Sequence, residues 1–420
     1  TLTWGGYSTQ FATDLNWQFI LGTGAGRGVN QAAIYGPASL SVPDIGSGQS
    51  YTTSQLASSQ VNPVFDGGTL TVDANGTIAT GFTVNAAGGI INGSGFNSTF
   101  SGVIADGSAP GGSLTLTGGG TVAFSGANTF TGGIIVDGAT LQLNNTAGAG
   151  TGTIHMMDPQ INFAATGTYA NDISLEVADG SQSTDPTILN NSSGGNITLS
   201  GRIYETPGVG GANQYVSFSG SGTTFLTNNT NSWGGVTTVN SGATLSGTTG
   251  SISGGSIVNN GTVIYTNTSA GTANQNISGS GAIRVTGTGV TLNGNISTTG
   301  QLQVNGTSAG LTLGGTRSGA NNSGVLLNGT GATLSVANTG SIQGGQFLGV
   351  RVTGANTTVN NLGVIQNSGT GGDGTVGAAA RMYHPGFGFG ARVLQNADGV
   401  IATGDDSTGV VVAGNYVATL

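Results

Sequence analysis

The 420 residues carry 16 acidic against seven basic side chains, a formal net charge of −9, with 82 glycines. That balance lacks the basic footprint nucleic acid requires and the polybasic segment of a membrane-surface contact, and no apolar run approaches the roughly twenty residues that cross a bilayer. Cysteine is absent, which excludes disulfides and thiol chemistry together without fixing the compartment.

Charged residues make up 5% of the chain, where an ordinary globular domain has about 25%. Low charge with abundant glycine also marks disordered chains. Here the apolar residues recur as short Val/Ile/Leu alternations between turns, which allows a continuous core. An ordered, all-β chain is expected.

Residues 1–60 are rich in aromatics, with Trp4, Tyr7, Phe11, Trp17, Phe19, Tyr35 and Tyr51. Their glycine-rich piece, GTGAGRG from Gly22 to Gly28, lacks the Gly-Lys-Ser/Thr of a phosphate loop and has no convincing helix to supply an N-terminal dipole. The segment is read as an aromatic N-terminal cap or assembly segment over the open end of a β stack. The remainder, 61–420, is assigned to the stack, with rungs expected from Phe65. FDGGTLTVDANGTIATGFTV sets Leu70 and Val72 before the turn Asn75-Gly76 and Ile78 after it; GGSLTLTGGGTVAF repeats the theme at Leu114, Leu116, Val122 and Phe124.

The densest unit runs from Phe124 to Asn145, FSGANTFTGGIIVDGATLQLNN. Gly132-Gly133 leads into Ile134, Ile135 and Val136, and Asp137-Gly138 turns again into Thr140 to Leu143, with Leu141 and Leu143 on one face. Asp-Gly is a strong turn signal because both residues tolerate φ > 0. From His155 to Pro207 the pattern loosens into rungs with longer lateral loops, holding six of the 16 acids. At Asn228 to Gly247 the dense unit is nearly rewritten: TNSWGGVTTVNSGATLSG answers GANTFTGGIIVDGATLQL in GG, hydrophobic run, turn and ATL. The C-terminal half uses a sibling unit, VNNGTVIYT, ANTGSIQGG, VNNLGVIQNSG and LQNADGVIATG, whose turn asparagines can hydrogen-bond from rung to rung. Units of about twenty residues that cannot bury an apolar face alone predict a single-stranded parallel β-solenoid of about 15 to 18 coils and about 70 to 90 Å. A hairpin-based sandwich would need longer strands and fewer turns.

These two GG-hydrophobic-turn-ATL copies resemble the passenger-associated repeat of bacterial autotransporter proteins. The opening LTWGGYSTQFATDLNW is similar to the Trp-rich start of many such passengers, and the Asn-x-Gly-Val/Ile units resemble adhesin-like passengers of Gram-negative bacteria. The resemblance implies a right-handed parallel β-helix, secreted or held at the bacterial cell surface. These 420 residues contain no counterpart of the family's C-terminal translocator barrel, so a processed passenger, or a relative exported another way, is expected. Thr1 in place of an initiator Met likewise fits a signal peptide already removed.

Parallel β-helices include polysaccharide lyases and hydrolases, which need clustered carboxylates, and a basic group or a second facing acid. The best acidic region runs from Asp172 through Glu176 and Asp179 to Glu205, with Arg202 nearby; solvated loop acids are the plainer reading. His155 and His384 lie in different regions, so neither a metal site, a triad nor a bound cofactor is expected. GGDG at 371–374 occurs once and does not make a calcium repeat. The repeat breaks at GAAARMYHPGFGFGAR, where Arg381, Tyr383, His384, Phe387 and Phe389 gather aromatics beside arginine, the usual anchors of protein contacts. With Trp4 and Trp17 at the start and Tyr416 in the apolar run GVVVAGNYVATL, these are the candidate contact residues. The chain is expected to be a non-enzymatic structural or adhesive rod that associates with itself end to end into a fibre or surface layer. The alternatives are a carbohydrate-active β-helix enzyme and a monomeric adhesin for surface glycans.

Overall fold

The computed structural model describes residues 44–56, 62–157, 160–176, 186–206, 213–318, 323–344 and 348–367, together with isolated short strands before and after them. The chain is a parallel β-solenoid built from strands of two to five residues; the one helical turn among the described residues is Thr53–Leu56. From Asp44–Gly46 onward the strands pair in parallel, each with a strand one coil away. Side chains alternate inward and outward with the period of two that any strand imposes. In the dense unit, Ile134 and Val136 are buried with Ile135 between them, and Leu141 and Leu143 are buried with Gln142 between them.

The coil has three sides. The third side is one unbroken sheet of 15 strands, from Gly76–Ile78 to Val400–Thr403. Fifteen passes make fourteen steps over 324 residues, or about 23 residues per turn and an axial length of about 70 Å. The expected twenty-residue unit holds only for part of the chain, and these fourteen turns fall below the expected 15 to 18, because some coils carry lateral loops. Ile161 pairs with Leu189 and Leu189 with Phe218, offsets of 28 and 29, whereas Val239 pairs with Asn259 and Ile257 with Ile277, offsets of 20.

The first and second sides are each interrupted once. The first holds Asp44–Gly46 to Ile104–Asp106, then resumes at Gly167–Tyr169. The second holds Ser50–Thr52 to Ile203–Glu205, then resumes at Gly271–Ala273. The dense repeat falls at these gaps. Its first copy turns the corner from second to third side, with Ile134–Val136 followed by Thr140–Leu143. Its second copy turns the corner from third to first, with Val236–Val239 followed by Ala243–Gly247. The motif therefore encodes a corner next to a strand-free side.

Matching residues build that side in both copies. Asn128 is buried, accepting from the Ile104 N–H at 2.8 Å and donating to the Gly148 carbonyl at 2.6 Å. Asn231 accepts from the Ile203 N–H at 2.8 Å and donates to the Ser251 carbonyl at 2.9 Å. Two residues on, Phe130 and Trp233 are buried where strand side chains are missing. At Gly133 φ is +81°, and a Cβ would lie 2.2 Å from the Thr153 carbonyl oxygen, which only glycine avoids.

In the first sibling unit, Val258 to Thr266, asparagines link rungs as expected, Asn259 donating to the Ala282 carbonyl at 2.8 Å and Asn260 Oδ1 accepting from Ser280 N at 3.3 Å, and asparagines elsewhere do the same. Asn75 Oδ1 accepts from Asn97 N, and Asn97 Oδ1 accepts from Thr121 N, at 2.7 and 2.9 Å. Asn276, Asn295 and Thr316 repeat the relay at 2.8 and 3.0 Å. The parallel stack begins earlier than Phe65: Asp44–Gly46 already pairs with Val64–Asp66, and Ser50–Thr52 with Thr69–Thr71. These two strands lie inside the stretch 1–60 read as a cap.

Candidate functional site

Most of the contact candidates from the sequence lie beyond what the structure describes. Trp17, Tyr383, His384, Phe387, Phe389 and Tyr416 are outside the described residues. Trp4 falls in strand Leu2–Trp4, which pairs antiparallel with Tyr7–Thr9. Arg381 falls in strand Ala378–Met382 on the first side, in register with Arg351.

The acidic region does assemble. On the outer face of the second side, His155, Ser174 and Tyr204 occupy one column, one coil apart from each other. Glu176, just past the strand holding Ser174, joins three of these coils through one oxygen. Its Oε1 lies 2.8 Å from His155 Nδ1, accepts from Ser174 Oγ at 2.8 Å, and accepts from Thr206 Oγ1 at 3.2 Å. Ser174 Oγ and Thr206 Oγ1 also touch. This is the one ion pair among the described residues, with the histidine 36% and the glutamate 13% exposed. Burial alone would raise the Glu176 carboxyl, but the His155 hydrogen bond, those from Ser174 and Thr206, and the histidine's charge bring it below the usual carboxylate range.

Asp179 lies outside the described residues; Asp172 and Glu205 hold backbone. Asp172 Oδ1 accepts from Arg202 N at 2.7 Å. Glu205 Oε1 accepts from Gly234 N at 2.7 Å and from Gln214 N. Arg202 lies over the Tyr204 ring, 4.7 Å from its centroid, and donates to the Thr230 carbonyl and Ser232 Oγ, both at 2.9 Å. Each carboxylate thus tethers one coil to the next. Among the described residues no cluster of three or more His, Asp or Glu side chains could hold a metal ion.

Two other clusters were missed by sequence reasoning. Arg317 takes an inward position on the third side between Ile296 and Ile342 and is 0% exposed. Its guanidinium donates to the carbonyls of Gly324, Thr298, Ser318 and Gly300 at 2.6–3.0 Å, and to that of Ile296 at 3.5 Å. Burial without a carboxylate partner pulls its pKa down to about 10. The second cluster is a column on the outer face of the first side, running Ile264, Arg284, Gln303, Leu326, Arg351 and Arg381 through successive coils. Arg284 and Arg351 are exposed, and neither has an ion pair or hydrogen bond among the described residues.

Near the start of the stack, Asp73 accepts from Thr53 Oγ1 at 2.5 Å and from Ser54 N at 3.3 Å. The Thr53 and Ser54 hydrogen bonds hold its pKa down to about 2. It borders a cavity of about 300 Å³ shared with Asn75 and Ile78. No helix among the described residues is long and apolar enough to cross a membrane.

Comparison of the chain with known protein families, characterised proteins and solved structures gave no match.

Proposed function

We propose that the chain is an extracellular structural or adhesive rod of a bacterial surface, with its activity residing in its length and outer faces. The observation that carries this reading is the unbroken third side. Fifteen strands in register give a stiff body of about 70 Å whose outward positions are mostly short and uncharged, including Thr99, Gln142, Asn162, Asn190, Thr238 and Ser278. Such rows suit extended contact better than a cleft. End-to-end self-association belongs to the same reading.

Electron microscopy of the purified chain, with adhesion of cells displaying it, tests the proposal. Rods or filaments, and adhesion that disappears when the chain is removed, are expected. Compact particles that confer no adhesion would defeat it. The His155–Glu176 network is the observation that supports a carbohydrate-active enzyme as the second reading. In that case polysaccharide would be cleaved, and Glu176→Gln would abolish the cleavage.

A further inference from the structure

We propose that the outer face of the first side, between Arg284 and Arg351, binds a linear polysaccharide bearing carboxylate groups, laid along the rod axis. The inference rests on the reading of the chain as a surface rod and names a ligand for one of its faces.

The first support is how charge is distributed. Twelve of the 16 acids lie at or before Glu205 and the other four at or after Asp373, leaving 206–372 with none. The same span holds Arg284, Arg317 and Arg351. A chain of net charge −9 therefore contains a stretch of rod whose only formal charges are positive. On the first side, the coil of Glu205 lies three strand steps from Arg284, about 14 Å, which exceeds the physiological screening length of about 8 Å.

The second support is the register. Arg202 is engaged with Tyr204, Thr230 and Ser232, and Arg317 is buried. Arg284 and Arg351 are the two arginines with described side chains that lack a partner, and they share one column. Three steps separate them, through Gln303 and Leu326, and Arg381 takes the next position after Arg351. An extended pyranose chain advances by about one strand spacing per sugar. A polyuronate along the column would therefore bring carboxylates to both arginines with about two sugars between them. The guanidinium fork matches a carboxylate bidentately, and Leu326 offers an apolar patch for a sugar face.

The rival occupant is a second copy of this chain, presenting its acidic N-terminal turns. Five of the eight acids in those turns with described side chains already accept hydrogen bonds within the chain: Asp73, Asp106, Asp172, Glu176 and Glu205. They are poorly placed to meet an outside cation.

The test uses the full chain, polygalacturonate, its fully methyl-esterified form, and dextran sulfate, with binding followed by calorimetry at low and physiological salt. Polygalacturonate should bind in a salt-sensitive manner and the methyl ester should not. The double variant R284Q/R351Q should bind roughly tenfold more weakly with an unchanged circular dichroism spectrum, as expected for two screened ion pairs. Equal binding by the double variant or by the methyl ester overturns the proposal. So does arginine-dependent binding of dextran sulfate alone. If sedimentation shows that the arginines govern self-association while polygalacturonate is ignored, the face belongs to a second copy and the proposal also fails. The underlying reading fails separately: rods that bind polygalacturonate and cleave it would remove the structural role and leave the site.

Discussion

Up to Glu205 the solenoid is filled with rings, wound irregularly and edged with acids. From Ser256 to Ile365 it is filled with aliphatics, and its described strands carry no acid. Phe65, Phe82, Phe100 and Phe124 form one ladder with centroids 5.3, 6.0 and 5.7 Å apart, and Phe163 meets Tyr169 edge-on at 4.7 Å. In the later turns, Tyr265 is the one buried aromatic among the described residues, amid Ile, Leu and Val. Third-side offsets stay between 19 and 21 residues from Phe218 to Arg317, run from 19 to 29 before it, and are 25 and 23 from Arg317 through Ile342 to Ile365. The contrast shows two ways to keep one register. Coils of unequal length keep the register because their extra residues leave the strands, as between Ile161, Leu189 and Phe218. Small branched side chains pack in uniform layers when the coils are uniform. A solenoid's stability is close to a sum of neighbour terms, so the two regions should respond separately to damage.

The largest separation should come from Phe100→Ala. It removes the middle of the ring ladder and leaves a cavity, costing about 3 to 5 kcal/mol. Hydrogen exchange should rise across strands Phe82–Val84 to Thr121–Phe124, with protection of Ser256–Asn259 and later strands unchanged. Uniform loss along the whole rod would erase the distinction between regions.

Arg317→Ala is the counterpart in the aliphatic turns. The carbonyls of Thr298, Gly300, Ser318 and Gly324 lose the guanidinium, while that of Ile296 keeps the Ser318 N–H, a loss of about 3 kcal/mol. Exchange should quicken in Ile296–Thr298 and Ser323–Leu327 while the ring ladder stays protected. An unchanged exchange profile would mean that water replaces the guanidinium without penalty.

Much of this organisation can be read from sequence, but unevenly. The inward alternation of Leu114/Leu116 or Leu141/Leu143 specifies strands, and the asparagines before turns specify rung contacts. The repeat at Phe124–Asn145 and Asn228–Gly247 is equally plain, yet nothing in it says that the two copies sit on different corners. That depends on how many strands precede each. The acidic region from Asp172 to Glu205 was visible with Arg202. His155 was not visible as its partner, because the link to Glu176 needs the 19-residue offset that pairs His155 with Ser174. Arg284 and Arg351 share a column only through successive offsets of 19, 23 and 25, too unequal for periodicity to reveal. The acid-free span beneath them needs only a count.

The irregular region should also be the acid-sensitive one. Glu176 has a folded pKa below its unfolded value. Its contribution is therefore present above the ordinary glutamate range and lost as pH falls through the lowered folded value. Lowering the pH through that window should loosen the coils of His155, Ser174 and Thr206 before those beyond Ser256. Glu176→Gln should flatten that pH response and cost about 1 to 2 kcal/mol at neutral pH, allowing for solvent screening. Equal acid sensitivity in both regions would count against it.

Tyr265 gives the smallest expected effect and the opposite sign. It is the ring in the aliphatic region, fully buried, and its hydroxyl has no hydrogen-bond partner among the described residues. Burial pushes its pKa up, so the phenol stays neutral and its oxygen is desolvated without return. In the ring-filled region the comparable Tyr169 is satisfied: its hydroxyl donates to the Ala165 carbonyl at 2.7 Å and receives the Ala165 N–H at 3.2 Å. Phenylalanine keeps each ring and removes only the oxygen. Tyr265→Phe should therefore stabilise the chain by about 0.5 to 1 kcal/mol, whereas Tyr169→Phe should destabilise it by about 1 kcal/mol. Paired denaturant titrations followed by exchange of the neighbouring strands measure both. If Tyr265→Phe destabilises as Tyr169→Phe does, the hydroxyl has a partner such as an ordered water, and the two regions satisfy their buried polar groups alike.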